Sequence, residues 1–371
     1  MKTVDAVLGK LAASLIPSPH VPARFPVITS LLIIRPGGIG DAVLLAPILR
    51  LLAEKYPAAR ITILAERRNA GVFTLITGIE NVYCYDCPRE FLRVLRGKYD
   101  VVIDSEQWHH LSAVVARSVS APVKIGYATN ERRRMFTHLI PYSHDDYESD
   151  SFIHLLDPMG IGAETTKRGV PFLTIPDGAG ISAEQLLEPF RNHLFVTIFP
   201  GASIIERRWG ADRYRRVVEV LSSFGIKVVV VGGKEDVQQG AVITAGGLGL
   251  NLAGLTLLSE TAAVIRKSVL LLCGDSGLLH IAVGLGVPTV SLFGSGRAKK
   301  WAPQGEIHLV LNKKLPCSPC TTYGTTPPCP IDCRCMKDIA ADEVVNAVTM
   351  LLTSVAAMPS HCCKRDWIET A

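Results

Sequence analysis

The stretch LLIIRPGGIGDAVLLAPILRLL, residues 31–52, decides the fold. Four apolar residues run into Arg35, Pro36, Gly37, Gly38 and Gly40 make a turn, and an apolar segment of helix length follows. An unbroken apolar run reads as a buried parallel strand, and the glycine cluster as a strand-to-helix turn. Such a turn offers free backbone N–H groups and the positive end of a helix to anions. Yet it carries an acid, Asp41, at its mouth. Asp41 either caps the helix N-terminus or is held at the edge of a site to accept a proton from an incoming hydroxyl. The positive helix end favours its charged form, which predicts a lowered pKa.

Two familiar glycine turns are excluded. A dinucleotide fingerprint counted from Gly38 needs glycine where Val43 stands, and no G-K-[ST] follows to make a Walker loop.

Outward from this stretch, strand and helix signals alternate. Apolar strand candidates lie near 31–35, 61–65, 100–103 and 123–127, then at 194–200, 227–233, 268–274 and 287–294. The intervening region 170–192 is rich in turn signals and is expected to hold the linker. Two successive series of this kind predict an α/β protein of two doubly wound parallel-sheet domains facing a central cleft. Ligands are expected beyond the carboxyl ends of the strands. The expected divisions are an N-terminal amphipathic extension, 1–28, two domains, 29–185 and 186–355, and a tail, 356–371. Segment 338–354 reads as a closing helix with Asp338 as its cap.

Composition agrees. A chain of 371 residues suggests two domains. The formal charge of +5, with basic residues scattered, suits anionic small molecules or a membrane surface better than duplex nucleic acid. No apolar run reaches the roughly 18–20 residues that span a bilayer. Asp5 and Lys10 interrupt the apolar part of the N-terminus, which argues against a signal peptide. Val4, Val7, Leu8, Leu11 and Leu15 share one helical face, for docking on the protein body or lying on a membrane. The ten cysteines read as reduced cytosolic thiols. Five of them, Cys317, Cys320, Cys329, Cys333 and Cys335, crowd into one segment. Its single C-x-x-C invites a zinc reading, but the other spacings give no second clean pair; a reduced loop braced by prolines is the alternative.

The second half has its own anion-binding signals. FPGASIIERRWG follows a strand, placing Ser203, Arg207 and Arg208 near its end. Arginine is a permanent cation whose planar fork suits phosphate oxygens. In LLLCGDSGLLHIAVGLG, a strand meets Gly274, Asp275, Ser276 and Gly277, with His280 one helical turn on. Backbone N–H groups and the Ser276 hydroxyl there suit a diphosphate. Glu235, beyond another strand, is a candidate partner for ribose hydroxyls.

Together these segments resemble the ADP-heptose:lipopolysaccharide heptosyltransferase family, glycosyltransferase family 9. The resemblance is carried in order by RPGGIGDAVLLAPIL, KIGYATNERRRMFTHLIPY, PGASIIERRWG, VVGGKED, CGDSGLLHIAVGLGVPTVSLFG and CSPC…CPIDCRCMKDI. It implies the GT-B architecture, two Rossmann-like domains with acceptor on the first and nucleotide-sugar on the second. It implies an inverting, metal-independent transfer without a cofactor, from ADP-heptose to a lipopolysaccharide inner-core hydroxyl, in the cytoplasm or peripherally on the inner membrane. By the same resemblance Asp41 is the catalytic base, and Gly38, Gly40, Arg132, Arg133 and Arg134 lie on the acceptor side. Ser203, Arg207, Glu235, Gly274, Asp275, Ser276, Gly277 and His280 lie on the donor side. Arg207 stands where members usually carry lysine, which keeps the charge and changes its shape. The chain has no D-x-D pair for a divalent ion, so leaving-group charge is expected to fall on Arg207 and the Gly274–Gly277 turn. An epimerase of the same architecture and a non-catalytic nucleotide-sugar binder are the other readings.

Overall fold

The computed structural model describes residue 5 and residues 9–162 and 170–356. Two compact units divide the chain, Met1–Arg168 with Phe172–Thr174, and Gly169–Pro171 with Ile175–Ala371. The helix Asp177–Leu186, inside the first expected domain, groups with the second unit, where Glu184 pairs with Lys267 at 2.9 Å. Thr174 belongs to the first unit, its N–H donating to the Leu75 carbonyl at 2.8 Å.

The first unit holds six parallel strands, β1 (Ser30–Arg35), β2 (Arg60–Ala65), β3 (Asn81–Cys84), β4 (Val101–Asp104), β5 (Val123–Tyr127) and β6 (His138–Ile140), ordered β3-β2-β1-β4-β5-β6. The second repeats that plan with β7 (Phe195–Phe199), β8 (Lys227–Val230), β9 (Leu250–Asn251), β10 (Leu270–Gly274), β11 (Thr289–Phe293) and β12 (His308–Asn312). Their order is β12-β11-β10-β7-β8-β9, again all parallel. Strands β1, β4, β5, β10 and β11 are buried along their whole length, and β1 and β10 carry the unbroken apolar runs that burial on both faces favours. In each sheet the order reverses beside the first strand, between β1 and β4 and between β7 and β10. Ligands of doubly wound sheets bind at such reversals.

The N-terminal helix Lys10–Leu15 docks on its own unit, with Ala13 fully buried. Asp5 anchors it: its carboxylate accepts from Leu111 N–H at 2.7 Å and lies 3.2 Å from His109 Nδ1. Leu11 and Leu15 are nevertheless exposed, so the expected apolar face does not pack as one stripe. Val4, Val7, Leu8 and the tail from 357 on lie outside the described residues. Asp338 closes the short helix Arg334–Lys337, its N–H reaching the Arg334 carbonyl at 2.8 Å, and the last helix starts at Ala341. The expected cap is thereby corrected: a side chain already paired with Arg334 at 3.1 Å serves the preceding turn. Among the described residues no helix is long and apolar enough to cross a membrane.

Candidate active site

In the first unit the turn after β1 gathers charged side chains. Gly37 takes φ +104°, a conformation open to glycine, and swings the chain so that Gly38 starts the helix Ile39–Leu44. Asp41 is the third residue of that helix, and its carboxyl accepts from the Gly38 N–H, the return arm of a capping arrangement. Beneath it Arg35 is almost wholly buried. Its Nε donates to the Pro36 carbonyl at 2.6 Å, Nη1 to the Ser105 carbonyl at 2.8 Å and Nη2 to Glu106 Oε2 at 3.1 Å. These bonds tie the end of β1 to the end of β4, whose Asp104 lies opposite Ile34. Asp41 therefore caps its own helix. Asp41 is half-buried, and burial raises its pKa above the ordinary value against the pull of Arg35, with Glu106 pushing the same way as burial. The expected lowering is corrected, because desolvation of the carboxylate outweighs the helix end.

Arg132 is also corrected. It is fully buried, paired with Asp104 at 2.6 Å, bonded to the Glu106 carbonyl and stacked over Phe136, so it supports these charged groups from behind. Arg133 and Arg134 remain exposed. Gly38 and Gly40 lie in the turn itself, Gly38 exposed and Gly40 half-buried.

In the second unit the carboxyl ends of β7, β8, β10 and β11 converge. Arg207 Nη1 meets Asp275 Oδ2 at 2.9 Å. A side chain at Gly296, in the loop after β11, would collide with Asp275. Arg207 is thus a seated cation rather than a free one, and its Nε makes no hydrogen bond among the described residues. Ser276 caps the helix Gly277–Gly284 by accepting from Leu279 N–H at 3.4 Å, so its hydroxyl oxygen is shared with the fold. Gly274 approaches the Arg207 carbonyl so closely that a Cβ would lie 3.1 Å from it. His280 is buried beside Trp301, and burial, with Arg207 adding, holds its pKa down to about 4, a neutral imidazole. Ser203 and Glu235 are exposed at the ends of β7 and β8.

The sequence reading missed Asp236. It is buried, accepts from Gly233 N–H at 2.9 Å and fills the space beside Gly201 and Gly232. It also missed Arg35 and Glu106; a charge closing an apolar strand is the signal that marks Arg35, whereas Glu106 lies two residues beyond the end of β4 and carries no such signal. The cysteine segment braces the loop after β11: Cys320 and Thr321 N–H groups donate to the Ser295 carbonyl at 3.1 and 2.9 Å. The eight described cysteines are free thiols, and no group of three metal-ligating side chains stands together among the described residues.

Two doubly wound parallel sheets of this order are the GT-B architecture. The chain belongs to glycosyltransferase family 9 (heptosyltransferase), whose signature matches residues 89–329. Lipopolysaccharide heptosyltransferase 3 of Escherichia coli (strain K12) is 26% identical over 304 residues, 72% of this chain and 83% of that one. The crystal structure of the glycosyl transferase family 9 from Veillonella parvula DSM 2008 has a TM-score of 0.73 at 20% identity, covering 88% of this chain and 97% of that one. E. coli ADP-heptose lps heptosyltransferase II has a TM-score of 0.72 at 20% identity, covering 89% of this chain and all of that one (100%).

Proposed function

We propose that this glycosyltransferase moves a heptose from ADP-heptose to a hydroxyl of the lipopolysaccharide inner core, with inversion and without a metal ion. One observation carries the reading: an acid on the turn after β1 in one unit, and a glycine turn with a seated arginine after β10 in the other. A diphosphate leaving group needs neutralising charge, and an acceptor hydroxyl needs a base, so the two tasks fall to different units. Asp41 accepts the hydroxyl proton as the new C–O bond forms. Backbone N–H groups of Gly274–Gly277, Arg207, Ser203 and the end of the helix Gly277–Gly284 receive the diphosphate. Glu235 meets the ribose, and neutral His280 lines the donor side without adding charge. Arg133 and Arg134 offer cations to the acidic acceptor; Arg132 supports them from the core.

The names of the relatives supply the donor and the lipopolysaccharide acceptor. We further propose work at the cytoplasmic face of the inner membrane, since exposed Leu11, Leu15, Val21, Phe25 and Val27 share a unit with exposed Arg133 and Arg134. Anionic leaflets attract such cations by about 1 kcal/mol each.

Asp41→Asn tests the reading. Binding of ADP-heptose should persist while turnover falls by roughly 10²–10⁴-fold, the range for loss of a general base. Turnover near that of the unaltered enzyme would leave Asp41 as a helix cap alone. Full activity in EDTA is expected, and a strict divalent-ion requirement would overturn the metal-independent step.

A further inference from the structure

Beyond the carboxyl ends of the neighbouring strands β1 and β4 three charges alternate, Asp41 in the helix Ile39–Leu44, Arg35 closing β1 and Glu106 just past β4. A Cβ added to Gly37 would lie 3.2 Å from Arg35 Nη2 and 3.7 Å from Asp41 Oδ2, so the two charged ends flank the same glycine. The other side of the Arg35 guanidinium is taken by Glu106 at 3.1 Å. Arg35 cannot swing away, being held by two backbone carbonyls and stacked over Phe152. Glu106 is fixed as well: its Oε1 accepts from Trp108 and His109 N–H groups at 3.1 and 3.3 Å. A fixed cation therefore serves two fixed carboxylates, only one of which faces the turn where an acceptor hydroxyl would arrive.

We propose that Arg35 is a positioning residue that keeps Asp41 in its charged, proton-accepting form, and that Glu106 limits how much of the Arg35 charge Asp41 receives. This rests on the reading of Asp41 as the base. The surrounding groups fit a shared cation. Burial works against the Arg35 charge, and Asp41, Glu106, Glu148 and Asp104 hold it. Burial likewise opposes the Glu106 charge, while Arg35, His109 and Arg132 keep its carboxyl below the ordinary value. On Asp41 itself burial and Glu106 act upward, Arg35, the Gly38 N–H and Arg68 downward. Tyr142, bonded to Glu148 at 2.9 Å, also faces Asp41. Arg132 is committed to Asp104 and cannot replace Arg35.

The proposal predicts shifts of opposite sign from two variants, which a general loosening of this region would not give. The full chain labelled with ¹³C at aspartate carboxyls is titrated by NMR, with Asp41→Asn identifying the Asp41 signal. The acid limb of kcat is measured on ADP-heptose and a lipopolysaccharide core acceptor. In Arg35→Met the Asp41 midpoint should rise by about 1–3 pH units, the usual effect of losing an opposite charge at this range. In Glu106→Gln, which keeps the hydrogen-bonding shape, it should fall. The kcat limb should move with each midpoint. If Arg35→Met does not fold, Glu106→Gln alone decides by the direction of its shift. An Asp41 midpoint unmoved by Glu106→Gln, or moved upward, overturns the proposal. Midpoints that shift as expected while kcat shows no matching limb support the coupling and overturn instead the role of Asp41 as base.

Discussion

Arg207 and Asp275 meet at 2.9 Å across the carboxyl ends of neighbouring strands, and neither side chain is more than one-sixth exposed (16% and 5%). The cation expected, together with the Gly274–Gly277 turn, to face a diphosphate is held in place by a carboxylate. Part of its charge is thereby offset within the protein.

Arg207→Ala should therefore cost stability as well as turnover, because it strands a buried carboxylate. Breaking one partner of a buried pair costs about 3–5 kcal/mol. Adding Asp275→Ala should recover part of that loss in urea unfolding. Arg207→Lys should keep the charge and lose the planar fork. An Arg207→Ala protein that unfolds at the same urea concentration as the unaltered chain would show that the pair contributes nothing.

His280 predicts an acid weakness. Burial, with Arg207, lowers its folded pKa to about 4 from the ordinary 6.5. Below pH 6.5 the unfolded chain takes up a proton that the folded chain refuses. Stability should fall between about pH 6.5 and 4, by up to about 1.4 kcal/mol per pH unit from this group, and its share should level off below 4. His308, also lowered to about 4 by burial, acts in the same direction. Unfolding free energies of His280→Phe across this window should show a shallower slope, and an unchanged slope would remove His280 as the cause.

Gly201 is expected to tolerate no side chain while Asp236 stands beside it, since an added Cβ would collide with the Asp236 carboxylate. Gly201→Ala should lose about 1–3 kcal/mol, the usual cost of overpacking. In an Asp236→Ala background the same change should cost little. Equal losses in both backgrounds, read by thermal melting, would place the strain elsewhere.

Asp5 fixes the N-terminal helix to the helix His110–Ser118. Asp5→Ala should weaken that anchor by about 0.5–2 kcal/mol, as for other lost caps. Hydrogen exchange within Lys10–Leu15 should speed up more than exchange in β1. Burial opposes the Asp5 charge, but its bonds to His109 and the Leu111 and His110 N–H groups bring the pKa to about 2. This contribution is present above about pH 3.8 and is lost as pH falls toward 2. Unchanged exchange in the variant would mean that Ala13 packing alone holds the helix.

The central strands were readable because burial on both faces leaves an unbroken apolar run, as in β1 and β10. Strands β3, β6, β9 and β12 escaped. β3, β9 and β12 are half-buried along their length, and β6 has three residues, only one of them fully buried, so none carries that run. The Asp41 turn and the Gly274–Gly277 turn were legible because backbone geometry forces glycine or a short cap there. The pairing of Arg207 with Asp275, and the burial of Arg132, were not. Both depend on residues 68 and 28 positions apart in the chain, and a basic residue looks alike in sequence whether it faces solvent or a buried carboxylate.

In each sheet the strand synthesised first stands in the interior, and later strands add outward on one side and then the other. No strand has to be threaded between two that are already paired. A ribosome-bound chain can thus complete β1 to β6 in the order in which they emerge, and the Thr174 to Leu75 hydrogen bond ties the last part of the first unit before β7 is made. A nascent chain stalled within the second unit should already protect the first from protease.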